Sequence, residues 1–138
     1  MFGSYSFKNI NAIFGIHEIE GWADGDDCLI IEEAQDRFTK TIGAKGEVIR
    51  SQNNDKSVII KLKLLQSSAT IAVLNGIKIL DDETGTGVLP FIYTDTVAGE
   101  SYIVKNAWIS KTPVVTRGRN QNNMEWVLHG DSSQYLKD

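Results

Sequence analysis

A chain of 138 residues is the size of one domain and long enough to fold around its own core without disulfide or metal support. Its 14 basic residues against 18 acidic ones leave a formal charge of −4, which argues against general nucleic-acid binding, where a basic surface must displace counterions from phosphate. The single cysteine, Cys28, excludes an internal disulfide and any multi-cysteine metal centre, and no apolar run approaches the ~18 residues of a membrane-spanning helix.

Phe2 to Phe7 is too short and too mixed for a secretory leader, so cytoplasmic synthesis without an anchor is expected. Ile10 to Ile19 is a candidate first strand, followed by the acidic loop Ala23 to Asp27. Cys28 to Glu32 is a short apolar strand in which Cys28 reads as a small buried hydrophobe. From Asp36 to Ile42, Phe38, Lys40 and Ile42 alternate with Arg37, Thr39 and Thr41, the period of a half-buried strand. Gly43 to Gly46 is a turn signal. A strand-like run, Gly46 to Arg50, leads into the polar turn Ser51 to Lys56. In Ser57 to Leu65, Val58, Ile60, Leu62 and Leu64 make one apolar face, and Ile59, Lys61, Lys63 and Leu65 the other. Such a strand belongs in the wall of a sandwich or barrel.

Ser67 or Ser68 can cap a helix from Ala69 to Leu80, with a broad apolar stripe of Ile71, Val73, Leu74, Ile77 and Leu80. Gly76 costs it about 1 kcal/mol relative to alanine, so packing has to hold it. Asp81-Asp82-Glu83 oppose the dipole at a helix C-terminus and read as loop. Val88 to Thr94 is a strand whose Pro90 marks an edge or a bulge. Thr96 to Glu100 joins it to Ser101–Ile109 as a hairpin. Lys111 to Asn123 is a long polar connection with a short strand expected at Val114-Val115, and Met124 to His129 is the last strand. Residues 1–8 and 130–138 are expected to be mobile ends of a single domain spanning 1–138.

The chemistry-bearing residues do not converge. His17 and His129 lie far apart without metal-ligand spacing. Asp24-Gly25-Asp26-Asp27 lacks the spacing of a calcium loop. Glu32 and Glu33 are neighbours on a strand and so face opposite ways. Neither a phosphate-binding glycine loop nor a Gly-x-Ser-x-Gly elbow occurs. The reading is therefore no enzyme, no catalytic residue, no metal and no cofactor. Arg117-Gly118-Arg119 is the compact basic motif of the C-terminal half and suits a loop contact with a neighbouring subunit. Trp22, Trp108 and Trp126 read as core residues, with a subunit interface as the alternative.

The order of a glycine-led strand (Gly46 to Arg50), the turn Arg50-Ser51-Gln52-Asn53-Asn54-Asp55, a long strand and a serine-capped helix resembles the central part of phage tail-tube proteins of the contractile-tail type. Ala107-Trp108-Ile109 and Glu125 to Leu128 resemble the family's closing strands more loosely. Tyr5 to Ala12 resembles the opening of small structural proteins of contractile-tailed phages. The resemblance implies a mainly β fold, a sandwich or half-barrel with one short flanking helix. It also implies six copies in a ring, with strands joined into a shared inner barrel and rings stacked into a conduit for DNA or an effector. Its partners would be further copies of itself, the tail sheath, the baseplate and a tape-measure protein, with DNA only passing through the lumen and no membrane. The protein would be made in the host cytoplasm and reside in the virion tail. Candidate ring or subunit contacts are Lys45, Arg50, Gln52, Asn53, Asn54, Asp55 and Lys56, taken as a long hairpin with a polar tip, together with Arg117 and Arg119. Glu32 and Glu33 are candidates for the lumen. The alternatives are another tail component such as a baseplate or tail-terminator protein, a type VI secretion tube subunit, or a small β-barrel module with a deep apolar ligand pocket.

Overall fold

The computed structural model describes residues 3–138. In chain order it forms β1 (Ile10–Phe14), β2 (His17–Glu18), β3 (Leu29–Glu33), β4 (Phe38–Ile42), β5 (Val48–Gln52), β6 (Val58–Leu65), α1 (Ala69–Thr84), β7 (Leu89–Asp95), β8 (Glu100–Lys111), β9 (Asn123–Gly130) and β10 (Gln134–Lys137). One antiparallel sheet runs β2-β1-β7-β8-β9-β6-β3, with β10 added on β8, while β4 and β5 pair only with each other. The mainly β architecture with one helix is the one expected, and it is consistent with a sandwich.

Alternation builds the core. β6 buries Val58, Ile60, Leu62 and Leu64 and leaves the residues between them half exposed. Across the ladder, β9 buries Met124, Trp126 and Leu128 on the same side. Phe14, Phe91, Val104 and Leu74 of α1 complete one buried cluster. Each large side chain sealed there contributes about 1.5–3 kcal/mol. The run from His17 to Glu33 pairs with β1 at its start and with β6 further on, through a bridge between Trp22 and Leu64 and the β3 ladder. The two ends of the sheet order thus lie on one stretch of chain, which curls the sheet around its buried face. As expected of Pro90, the β7–β8 register shifts between Leu89 and Phe91.

Several expectations change. The candidate strand over Ile10 to Ile19 turns back at Gly15, so β1 and β2 pair as a hairpin. The helix runs on through Asp81-Asp82-Glu83 to Thr84. Gly85 adopts φ 70°, and its N–H donates to the Asp81 carbonyl. A glycine in this left-handed conformation closes the helix without a Cβ penalty. The Asp81 carboxylate accepts from the Gly87 N–H, and Asp82 pairs with Lys78 at 3.4 Å. These local bonds outweigh a dipole penalty of about 0.3–1 kcal/mol.

The ends of the chain are also more structured than expected. Of residues 1–8, Met1 and Phe2 lie outside the described residues; Phe7 opens a 3-10 turn capped by Ser6 and packs edge-on against Trp22 at 5.5 Å. Residues 134–137 form β10, which continues β9 along β8 in unbroken register after a three-residue interruption. Lastly, Val114 and Val115 form no strand; they lie exposed in the irregular 112–122 connection.

Candidate interaction surfaces

The sheet forks at one end. β6 begins at Val58, opposite Gly130 of β9. A Cβ on Gly130 would collide with the side chains of Val104 and Val58, so glycine lets β8 and β6 close in at this point. Beyond it, β10 stays with β8, whereas the chain preceding β6 departs with its own partner. Ala34 N–H donates to Ser57 O at 2.9 Å and Asn53 N–H to Arg37 O at 2.9 Å. The β3–β6 ladder therefore continues through these bonds into β4–β5, with one extra residue on the β5–β6 side. The result is one long ribbon whose distal half leaves the sheet as a two-stranded arm. At about 3.3 Å per residue, Ala34 to Ile42 gives the arm a reach of roughly 25 Å.

Every residue of β4 and β5 is exposed, including Phe38 at 41%, Ile42 at 62%, Val48 at 65% and Ile49 at 64%. The half-buried strand expected over 36–42 is corrected accordingly: its alternation is real, but neither face of the arm packs on the core. Cross-strand pairs set the two faces. Phe38/Gln52, Lys40/Arg50 and Ile42/Val48 share one; Thr39/Ser51 and Thr41/Ile49 share the other. The first face sets two cations directly opposite each other, an unfavourable pairing, with the Arg50 guanidinium 4.0 Å over the Phe38 ring. The second face carries no charge within the strands and ends toward the tip at Glu47, whose carboxylate lies against Gly43.

The polar turn expected at the hairpin tip is elsewhere. The tip is Ala44-Lys45-Gly46, closed by Gly43 N–H to Glu47 O and Gly46 N–H to Gly43 O. Gln52 to Lys56 form the root, where the Asn53 side chain accepts from Asp55 N–H and the Asp55 carboxylate accepts from Ser57. The bonds from the Ser57 hydroxyl and N–H hold the Asp55 carboxyl below its ordinary pKa. Asp and Asn fit here because their short side chains satisfy backbone donors in a bend. The candidate residues thus divide: Lys45 at the tip, Arg50 on the shaft, and Gln52, Asn53, Asn54, Asp55 and Lys56 at the root. A polar cleft of about 430 Å³ separates root from fork, between Gln52, Asn53, Asp55 and Lys56 on one side and Ser132 and Ser133 on the other.

Arg117 and Arg119 belong to the other end of the molecule. Arg117 donates to Thr116 O at 2.9 Å and touches the Met124 sulfur at 3.8 Å. Met124 pairs with Leu64, near the far end of β6, roughly 25 Å from the arm root by strand rise. Beside it opens a groove that the sequence reading missed. Ile71 and Ala72 of α1 form one wall, Pro113 and Val115 the other, and Met124 and Trp126 also line it, enclosing about 480 Å³. Trp126 is only 2% exposed, and its indole N–H has no hydrogen-bond partner among the described residues. Such an orphaned buried donor costs about 1–3 kcal/mol. The one signal in the sequence was Pro113-Val114-Val115, an apolar interruption of a polar connection.

Glu32 and Glu33 part company as adjacent strand residues must. Glu32 lies 3.7 Å from Lys61 and Glu33 lies 3.9 Å from Arg37. Glu32, Ile59, His129 and Trp108 are consecutive partners across β3, β6, β9 and β8 on the outer sheet face. On β6, Lys63 donates to Asp27 at 2.9 Å, which holds the Asp27 carboxyl down and the Lys63 ammonium up from their ordinary values. Trp126 is a core residue as expected. Trp108 instead sits half-buried on the outer face against His129 at 6.4 Å. Among the described residues, no group of His, Cys, Asp and Glu is arranged to hold a metal, and no helix is long and apolar enough to cross a membrane.

A family model described as bacteriophage PhiTE tail tube protein matches residues 2–135. No curated protein matches. Among solved structures, the chain is similar to the anti-feeding prophage cap, a tube-terminating cap, at 10% identity and TM-score 0.62, covering 100% of this chain and 94% of that one. It is similar to the sheath/tube terminator of an extracellular contractile injection system, PVC, in the extended state, at 12% identity and TM-score 0.60, with 98% of each chain covered. A chain of the PVC sheath-tube complex gives 12% and 0.57, with 94% and 88% covered. At these identities the likeness is one of fold.

Proposed function

Since the chain belongs to the bacteriophage PhiTE tail tube protein family, we propose that it is the subunit of a tail tube, in which rings, expected to hold six copies each, stack into a conduit for DNA or effector. It acts as a virion structural protein, made in the host cytoplasm, and its role is passage rather than catalysis. A single buried cluster supports reading 1–138 as one domain. The observation that carries the tube reading is the arm: two paired strands with both faces and both edges unpartnered among the described residues. An isolated two-stranded hairpin is marginal in water, and open strand edges invite pairing with another chain. A subunit interface removes both liabilities.

Ring and stack contacts through unlike patches close by a fixed rotation per subunit. Lys45 and Arg50 on the arm, the root residues Gln52 to Lys56, and Arg117 and Arg119 at the far end are the contact residues of this reading. The outer sheet face with Glu32 is the lumen candidate, because Lys61 is neutralised by Glu32 and Lys63 by Asp27, so neither is left free for passing phosphate. Glu33, the other lumen candidate, points the opposite way along the same strand, beside Arg37. Sheath, baseplate and tape-measure proteins are the outside partners. A second reading, a tube terminator that caps the last ring, is favoured by two of the similar structures described above.

The test is electron microscopy and mass measurement of purified protein beside a variant with residues 38–52 replaced by an Asn-Gly turn. The expected result is tubes from the native chain and a folded, non-stacking variant. Tubes of ordinary length from the variant would overturn the arm's role. Native protein that forms single rings and caps added tubes without extending them would favour the terminator.

A further inference from the structure

We propose that the groove beside Trp126 is the receptor for the arm of a second copy of this chain. The proposal rests on the tube reading and names the surface that the arm meets. Arm and groove lie at opposite ends of the same strand: β6 starts at the arm root and runs through Leu65 into Gln66-Ser67-Ser68, which border the groove. An arm leaving one end and a receptor at the other make a head-to-tail contact, the geometry that stacks identical units along an axis.

The chemistry of the two surfaces matches. The groove is lined by apolar side chains with Lys78 at its border, and Arg117 is in contact with its Met124. These cations disfavour the arm face that carries Lys40 and Arg50. They leave the face with Thr39, Thr41, Ile49 and Ser51, which carries no cation within the strands and has the Glu47 carboxylate toward its tip, as the one that can enter. Ile49 is then the apolar anchor, 64% exposed in the free subunit. The arm's outer strand edges present carbonyl oxygens without ladder partners.

Two variants test this by complementation. Thr41→Asp with Ile49→Asp disables the arm and leaves the groove. Ala72→Arg fills the groove from an exposed helix position and leaves the arm, and Val115→Asp serves as an independent groove variant. All four substitutions fall on exposed residues, and circular dichroism checks that each variant folds. Each is expected to stop at single rings or subunits. Mixing arm-disabled with groove-filled protein is expected to double the particle mass and go no further, because one working contact remains. A groove-filled variant that builds full tubes, or a mixture that fails to pair, overturns the proposal while leaving the tube reading intact; in the first case another partner occupies the groove. Native protein that never stacks overturns both.

Discussion

The two halves of the β3–β6 ribbon share one ladder and live in different environments. In the proximal half, Ile60 and Leu62 of β6 are fully buried, flanked by β3 on one side and β9 on the other. In the distal half, β4 and β5 have only each other, and Ile42, Val48 and Ile49 stand in solvent. Both halves alternate. The difference lies in what interrupts the apolar face: nothing between Val58 and Leu64, but Lys40 and Arg50 between Phe38, Ile42 and Val48. Pairing alone does not make a strand part of a core. A face has to be apolar throughout before a second layer closes over it.

The largest effect should come from the buried half. Leu62→Ala, paired across the ladder with Trp126 and Leu29, is expected to cost about 2–5 kcal/mol of subunit stability, measured by denaturant unfolding. Ile49→Ala, on the same ribbon, is expected to stay within about 0.5 kcal/mol. A comparable loss at Ile49 would mean that the arm packs on the body of its own subunit.

A second contrast sits at the fork, where β10 and the arm diverge. β10 is clamped: Tyr93 donates to one Glu100 oxygen at 2.7 Å, Tyr135 donates to the other, and Lys137 lies 4.0 Å away. The bond from Tyr135, then that from Tyr93, holds the Glu100 carboxyl below its ordinary value, and burial together with Glu100 raises the Tyr93 hydroxyl. A carboxylate with a lowered native pKa stabilises the fold above its unfolded pKa, and this contribution is lost as pH falls through the native value. The native chain should therefore lose melting temperature below about pH 4.5, and Glu100→Gln should flatten that part of the profile. Identical acid profiles for the two proteins would show that the clamp carries no ionised-state preference. The arm has no such clamp and is held by its own ladder and the backbone bonds at its tip and root.

Much of the fold was legible in the sequence because its signals are local. The period of β6, the serine cap before α1 and the Pro90 irregularity all depend on nearby residues. What stayed hidden depended on distant partners or on backbone geometry. The root turn offered the stronger turn composition, yet Gly43 to Gly46 makes the hairpin tip, and the root residues only bend the ribbon. β10 looks like a polar tail because its anchor, Glu100, lies more than thirty residues earlier in the chain. The groove arises where Ile71 and Ala72 meet Pro113 and Val115, which no single window of sequence contains.

The smallest effect isolates the arm's own stability. Lys40 and Arg50 are directly opposed, and like charges at such a position cost a cross-strand pair a fraction of the roughly 0.2–1 kcal/mol that a favourable pair contributes. Lys40→Glu turns repulsion into attraction, so β4–β5 should open less often. Because the arm opens without exposing the core, global unfolding should not change. Amide exchange should instead slow at 38–52 and nowhere else, reporting a local free energy separate from that of the sheet. A shift in the global midpoint would mean that arm and sheet unfold as one unit, and the contrast between the two halves of the ribbon would fail. If the local change appears alone, the arm is an independent element held in reserve, ordered only weakly until a neighbouring surface takes it up.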